Sequence, residues 1–170
     1  RSALPARSEM CIRDRHSIIA VDEKGKPLTR CITWADNRSA SWAEKIKNDM
    51  NGHEIYLRTG TPIHPMSPLS KLVWLQNEQA ELFAKSYKFI SIKEYVFYKL
   101  YKEYVIDYSI ASATGMFNLK SLKWDEEALH VAGITDKKLS KLVPTTHSLT
   151  GLDEELSLIH ISERAGKADR

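Results

Sequence analysis

Cysteine, glycine and long apolar runs are what this sequence is short of. Two cysteines in 170 residues cannot build a disulfide framework, and Cys31, inside an apolar stretch, reads as a small core hydrophobe suited to a reducing compartment. The seven glycines form neither a Gly-x-Gly-x-x-Gly turn nor a Gly-x-x-x-x-Gly-Lys phosphate loop, and no Gly-x-Ser-x-Gly elbow is present. No apolar run approaches the length of a bilayer crossing, and the opening residues lack the apolar middle of a secretory signal. Those two absences predict a cytoplasmic protein with no membrane partner. The six histidines are scattered without metal-ligand spacing, so no metal site is predicted; His53, His130 and His147 read as surface residues.

What is there is an ordinary soluble composition, 42% hydrophobic and 28% charged, in a chain long enough for one domain with a real core. Its two ends stand apart. Met10-Cys11-Ile12-Arg13-Asp14-Arg15 and Leu156-Ser157-Leu158-Ile159-His160-Ile161 can be read from opposite strands of one short DNA, CTGTCTCTTATACACATC, which resembles the transposon end used in preparing sequencing libraries. Residues 1–15 and 156–170 are therefore expected to be translated adapter, with genuine sequence over 16–155. Setting them aside removes the formal net charge of +3, since the remaining Lys/Arg and Asp/Glu balance. A nucleic-acid partner is then not expected, because no basic stripe with interleaved aromatics remains.

Along 16–155 the periodicity predicts an early β-hairpin and then mostly helix. Residues 17–21 and 28–34 read as strands joined by the polar turn Asp22-Glu23-Lys24-Gly25-Lys26-Pro27. Trp42, Ala43, Ile46 and Met50 recur at helical spacing, with Ser41 and Glu44 spaced as a capping box and Asn51-Gly52 as the stop. His53 to Arg58 reads as a short further turn. Ser67-Pro68 opens a long or broken helix as N-cap and first-turn proline. Residues 88–90 read as a buried strand, Ser91-Ile92-Lys93-Glu94 as a second capping box, and 104–113 as ambiguous. Met116 to Leu119 reads as a strand, Asp125 caps a helix stopping at Gly133, and 135–142 reads as a last short helix before Pro144. No linker or repeat divides the segment. The order is not a clean βαβ alternation, which suggests that the main sheet partners lie outside this chain.

The most informative stretch is Ile32-Thr33-Trp34-Ala35-Asp36-Asn37-Arg38, an apolar strand ending in an aromatic and a polar cluster. Trp34 offers a flat apolar face and Asp36, Asn37 and Arg38 offer directional hydrogen bonds. That combination suits a polyhydroxylated small molecule, whose C–H faces stack on an aromatic while its hydroxyls need polar partners. The competing reading is a strand-end cap with a packed Trp. His64, in the constrained loop Pro62-Ile63-His64-Pro65-Met66, reads either as a residue lining a site or as a structural one.

The segment Met66-Ser67-Pro68-Leu69-Ser70-Lys71-Leu72-Val73-Trp74-Leu75-Gln76-Asn77-Glu78 resembles the signature of the FGGY carbohydrate kinases, with Pro68, Lys71, Trp74 and Asn77-Glu78 at the expected offsets. Trp34-Ala35-Asp36-Asn37-Arg38 resembles that family's Trp-x-Asp-x-Arg segment, Thr59-Gly60 its Thr-Gly turn, and Asp107 with Ala111-Ser112 its Asp-x-x-x-Ala-Ser stretch. Phe117-Asn118, Trp124-Asp125 and Leu142-Val143-Pro144 follow in family order. Within the family, residues 35–38 and 61–68 look most like the gluconate-specific members.

The resemblance implies an α/β fold, part of an actin-like domain of ribonuclease H type, in which this chain is an interior piece of the N-terminal, sugar-holding domain. It implies transfer of the γ-phosphoryl of ATP to a sugar or sugar-acid hydroxyl, with Mg2+, in the whole protein. Neither ATP nor Mg2+ has a binding motif within this chain, and no catalytic residue is assigned, because the family's Asp-x-Gly-Thr phosphate loop and Gly-Asp base are absent. Substrate contact is carried onto Trp34 and Asp36. His16 would match a sugar-contacting His that follows Met in relatives, although Arg15 precedes it here, and Met66 holds a position that faces the sugar. Arg38 is expected either to fork a sugar-acid carboxylate or to serve as a structural pair, the second being favoured; Lys71 and Trp74 are expected to anchor their helix to the sheet. Ketopentose or polyol substrates, or a non-catalytic sugar-binding module, are the alternatives, and a homo-oligomeric whole protein stays open. The chain by itself is expected to lack kinase activity and a well-packed fold.

Overall fold

The computed structural model describes residues 15–151. The terminal segments expected to be foreign lie outside the described residues, apart from Arg15. Among the described residues thirteen α-helices and strands follow one another: β1 (Ile19–Val21), α1 (Ala40–Asp49), α2 (Gly52–Thr59), α3 (Pro68–Glu78), α4 (Ala80–Lys85), β2 (Lys88–Ile90), α5 (Ile92–Tyr101), β3 (Val105–Asp107), α6 (Tyr108–Ser112), β4 (Phe117–Asn118), β5 (Lys123–Trp124), α7 (Glu126–Val131) and β6 (Lys141–Val143). Among the described residues the strands pair two by two. β1 runs antiparallel to β2 with Ala20 opposite Phe89, β3 runs parallel to β6 with Ile106 opposite Leu142, and β4 and β5 form a short antiparallel ribbon.

The hairpin forms, with an irregular return arm. Ile18 exchanges two backbone hydrogen bonds with Ile32 (3.0 and 2.9 Å), and Val21 bridges to Pro27. Between those bridges the return arm is the longer, and the slack is taken up by the Thr29 hydroxyl, which accepts from the Ala20 amide at 3.0 Å. Side-chain substitution for a backbone acceptor is how a bulged arm keeps a buried N–H satisfied.

α3 is the centre of the molecule. Its first eight residues, Pro68 to Leu75, are all buried, and Leu69, Leu72, Val73 and Leu75 pack with Ile18, Ala20 and Ile32 of the hairpin, Ala43 and Ile46 of α1, Ile55 of α2, and Ala128 and Leu129 of α7 in one continuous core. Such all-round burial marks a helix enclosed by other elements instead of lying on a surface. The helix starts at Pro68, whose fixed φ and missing N–H suit the first helical position. It breaks at Gln79, whose non-helical backbone (φ −135°, ψ 46°) separates it from α4. No helix among the described residues is long and apolar enough to cross a membrane.

Three local expectations are corrected. Ser41 and Glu44 do not form a capping box: α1 begins at Ala40 behind Ser39, whose hydroxyl donates instead to the Pro65 carbonyl at 2.8 Å. Residues 135–142 are not a helix but a single 3-10 turn, Asp136–Lys138, followed by β6. The tertiary pairing of β6 with β3 overrides local helical spacing there. The ambiguous stretch 104–113 resolves into β3 and α6, with Asp107 as N-cap accepting from the Ser109 and Ile110 amides.

Candidate sugar-binding turn

The turn at residues 33–38 leaves the end of the hairpin and leads into α1. It is closed by the Asp36 amide donating to the Thr33 carbonyl at 3.1 Å, a tight reversal that puts Trp34 and Ala35 at its tip. Trp34 is 47% exposed, unusual for an indole that only packs. Asp36 is mostly buried, and Arg38 wraps back onto it. Arg38 Nε lies 3.0 Å from both carboxylate oxygens, Nη2 is 2.6 Å from Oδ2, and the Arg38 amide donates to Oδ1 at 3.0 Å. The guanidinium carbon lies 4.3 Å over the centre of the Trp74 ring. A planar guanidinium satisfies both neighbours at once, forking a carboxylate in its plane and stacking an aromatic on its face.

Lys71, one turn before Trp74 on the same face of α3, is 1% exposed. Its Nζ donates to the carbonyl of His16 at 2.7 Å and to that of Thr33 at 2.9 Å. The His16 ring contributes Nδ1, 3.1 Å from the Ala113 carbonyl after α6. The Asp36 carboxyl sits below the usual carboxylate range, chiefly because of the hydrogen bonds from Arg38; burial opposes this, and the charge of Lys71 adds to it. Asp36 is thus ionised near neutrality and offers acceptors, never a proton.

The loop at 61–67 approaches the same region through the start of α1, held by the Ser39–Pro65 bond. Within it the Ser67 amide and hydroxyl both donate to the His64 carbonyl at 2.9 Å, and exposed His64 accepts the Met66 amide on Nδ1 at 3.1 Å. Met66 is half-buried. Thr61 Oγ1 donates to the Ser112 carbonyl at 2.5 Å, tying this loop to the end of α6. The structure therefore carries Trp34, Asp36 and Arg38 on one turn, links that turn to His16 through Lys71, and links it to the Met66 loop through Ser39. The His64 ring is engaged with its own loop.

Lys71, Ser39 and Thr61 are the connecting residues that motif reading did not pick out as site builders. Each donates to main-chain carbonyls, which every residue possesses, so the pairing leaves no trace in residue types. The cavity lined by Ser17, Pro68, Leu72, Thr114 and Met116 among others, to which the turn contributes no residue, is about 20 Å³, far below the several hundred needed for a small ligand. No group of three or more His, Cys, Asp or Glu able to hold a metal occurs among the described residues, and the glycines there stand singly. No step through a nucleotide phosphate or its Mg2+ is assigned to these residues.

Comparisons with known proteins agree on one family. The model described as "FGGY family of carbohydrate kinases, N-terminal domain" matches residues 12–160. The gluconokinase of Bacillus subtilis (strain 168) is 64% identical over 143 residues, covering 84% of this chain and 28% of the relative. Two solved structures from Lactobacillus acidophilus, a gluconate kinase and a ligand-bound xylulose kinase, each superpose with a TM-score of 0.79 at 39% identity over 82% of this chain, and over 28% and 29% of their own lengths. The chain thus spans little more than a quarter of the proteins it matches.

Proposed function

Because the chain belongs to the FGGY family of carbohydrate kinases, as a segment of its N-terminal domain, we propose that the whole protein phosphorylates gluconate from ATP and that this segment holds the sugar acid. The observation that carries this reading is the 64% identity to a gluconokinase across 84% of the chain. In this reading the exposed face of Trp34 stacks on the C–H face of the substrate, Asp36 accepts its hydroxyls, and His16, Met66 and His64 border it. Arg38 serves Asp36, since its Nε and Nη2 already fork that carboxylate. ATP and Mg2+ supply and charge-stabilise the transferred phosphoryl group, held by parts of the whole protein other than the described residues. The reading takes 16–155 as kinase sequence and the ends as translated adapter; the family match, over residues 12–160, crosses each of those boundaries by a few residues. It also takes the enzyme to be cytoplasmic.

A second reading, a ketopentose kinase, draws on the xylulose kinase structure that superposes equally well. A coupled ATP assay of the full-length enzyme over gluconate, xylulose, ribulose and glycerol separates the two. The highest kcat/KM is expected for gluconate. A preference for xylulose or ribulose would transfer the assignment to the second reading, and sugar binding without turnover would leave a non-catalytic sugar-binding protein.

A further inference from the structure

We infer that Lys71 and Trp74 are positioning residues that grip the sugar-binding turn from behind, one at each end. This rests on the proposed role of Trp34 and Asp36 as sugar contacts and adds how their placement is enforced.

At the start of the turn, the Thr33 carbonyl accepts two donors, the Asp36 amide at 3.1 Å, which closes the reversal, and Lys71 Nζ at 2.9 Å, which ties it to α3. The same ammonium holds the His16 carbonyl at 2.7 Å. One buried charge thereby fixes the spacing between the strand ends that lead to His16 and Trp34. At the end of the turn, the Trp74 ring carries the Arg38 guanidinium at 4.3 Å, and that guanidinium fixes both oxygens of Asp36. Lys71 and Trp74 lie three residues apart on a helix, on one face, and the first eight residues of that helix are all buried. Trp34 and Asp36, the two candidate contacts, lie between the two grips.

A buried ammonium is costly wherever it is not matched by strong acceptors, so simple anchoring of α3 would be served better by an apolar side chain of the same length. A charge placed on carbonyls that bracket the turn instead limits how far the turn can move. A turn ordered before binding does not have to be ordered by the ligand, and that difference goes directly into affinity.

The test uses the full-length enzyme with Lys71→Met, Trp74→Leu, Trp74→Phe and Arg38→Gln, read by hydrogen exchange of the 33–38 amides and by separate KM values for sugar and ATP. Lys71→Met and Trp74→Leu are expected to speed exchange at Asp36 and to raise the sugar KM on the order of tenfold to a hundredfold. The ATP KM should stay within about twofold, and Trp74→Phe, which keeps an aromatic face, should stay near the parent. Unchanged exchange at 33–38, or equal increases across the whole domain with both KM values rising together, would overturn the inference. If Lys71→Met does not fold, Trp74→Leu and exposed Arg38→Gln decide by the same two readouts. Should the unmodified enzyme phosphorylate none of the sugars, the functional reading falls, while the exchange measurements still decide whether the grip exists.

Discussion

At the scale of single residues, the strongest charge arrangement lies away from the turn. Arg58 at the end of α2 forks Asp125 (Nε to Oδ2 2.7 Å, Nη2 to Oδ1 3.0 Å) and reaches Glu127 at 2.5 Å. Asp125 is 4% exposed and also caps α7 through the Ala128 amide at 3.0 Å. Burial pushes its carboxyl up, but Arg58, the Ala128 amide and Asn118 outweigh this and hold it below the ordinary 3.8. A depressed folded value means the contribution is complete above the unfolded value and is lost as pH falls below about 4 through the folded one. Arg58→Met leaves that carboxylate buried without its partner. It is expected to cost about 2–4 kcal/mol at pH 7, a difference that narrows as pH falls below about 4, measured by urea unfolding of the full-length enzyme at pH 7 and at pH 3.5. Asp125 as a helix cap was legible from its position before an amphipathic stretch. Its partner was not, because 67 residues separate the two and nothing local in either segment specifies the match.

Helices show where spacing suffices and where it does not. Ser91 and Glu94 form the capping box that their spacing predicts: the Ser91 amide donates to Glu94 Oε2 at 2.6 Å and the Glu94 amide donates to Ser91 Oγ at 3.3 Å. Ser41 and Glu44 have the same spacing and form none, because Ser39 is drawn to the Pro65 carbonyl and α1 starts around it. The residue pattern permits a cap; tertiary contact decides which serine precedes the helix. Glu94 is fully enclosed, and burial raises its carboxyl above the ordinary 4.5 against the hydrogen bonds of Ser91 and the charge of Lys88. For a carboxyl raised by folding, stability is fullest below the unfolded value and declines as pH climbs toward the folded one. Glu94→Gln keeps an acceptor for the Ser91 amide and removes the buried charge, so its thermal midpoint at pH 7 is expected to equal or exceed that of the unmodified enzyme. Ser91→Ala, which removes the acceptor for the Glu94 amide, is expected to lose about 1 kcal/mol. Thermal scans of both variants at pH 5 and pH 7 check the two signs.

For the molecule as a whole, three separate two-stranded pairings among the described residues are a thin framework. A lone parallel pair such as β3 and β6 is ordinarily one part of a larger sheet covered on both faces. The 170-residue chain expressed alone is therefore expected to melt without a sharp transition and to transfer no phosphate to gluconate. Calorimetry and the coupled assay check both, and a single cooperative transition or measurable turnover would contradict the expectation. The α/β class, the opening hairpin and the helical middle were legible because hydrophobic periodicity and turn residues are local. β3 and β6 were hidden because a three-residue strand has too little pattern to distinguish it from a helical turn. The turn that carries the candidate contacts Trp34 and Asp36 was legible in its residue types, and its support was hidden, because there side chains bond to backbone.

The Thr33 carbonyl oxygen, holding one proton from an ammonium and one from an amide, has both of its lone pairs engaged. Under the proposed role of this turn an incoming polyol would find no main-chain acceptor on Thr33. Selection among stereoisomers there would then fall to side-chain oxygens, so that exchanging a few side chains could change sugar preference while the peptide path stays as it is.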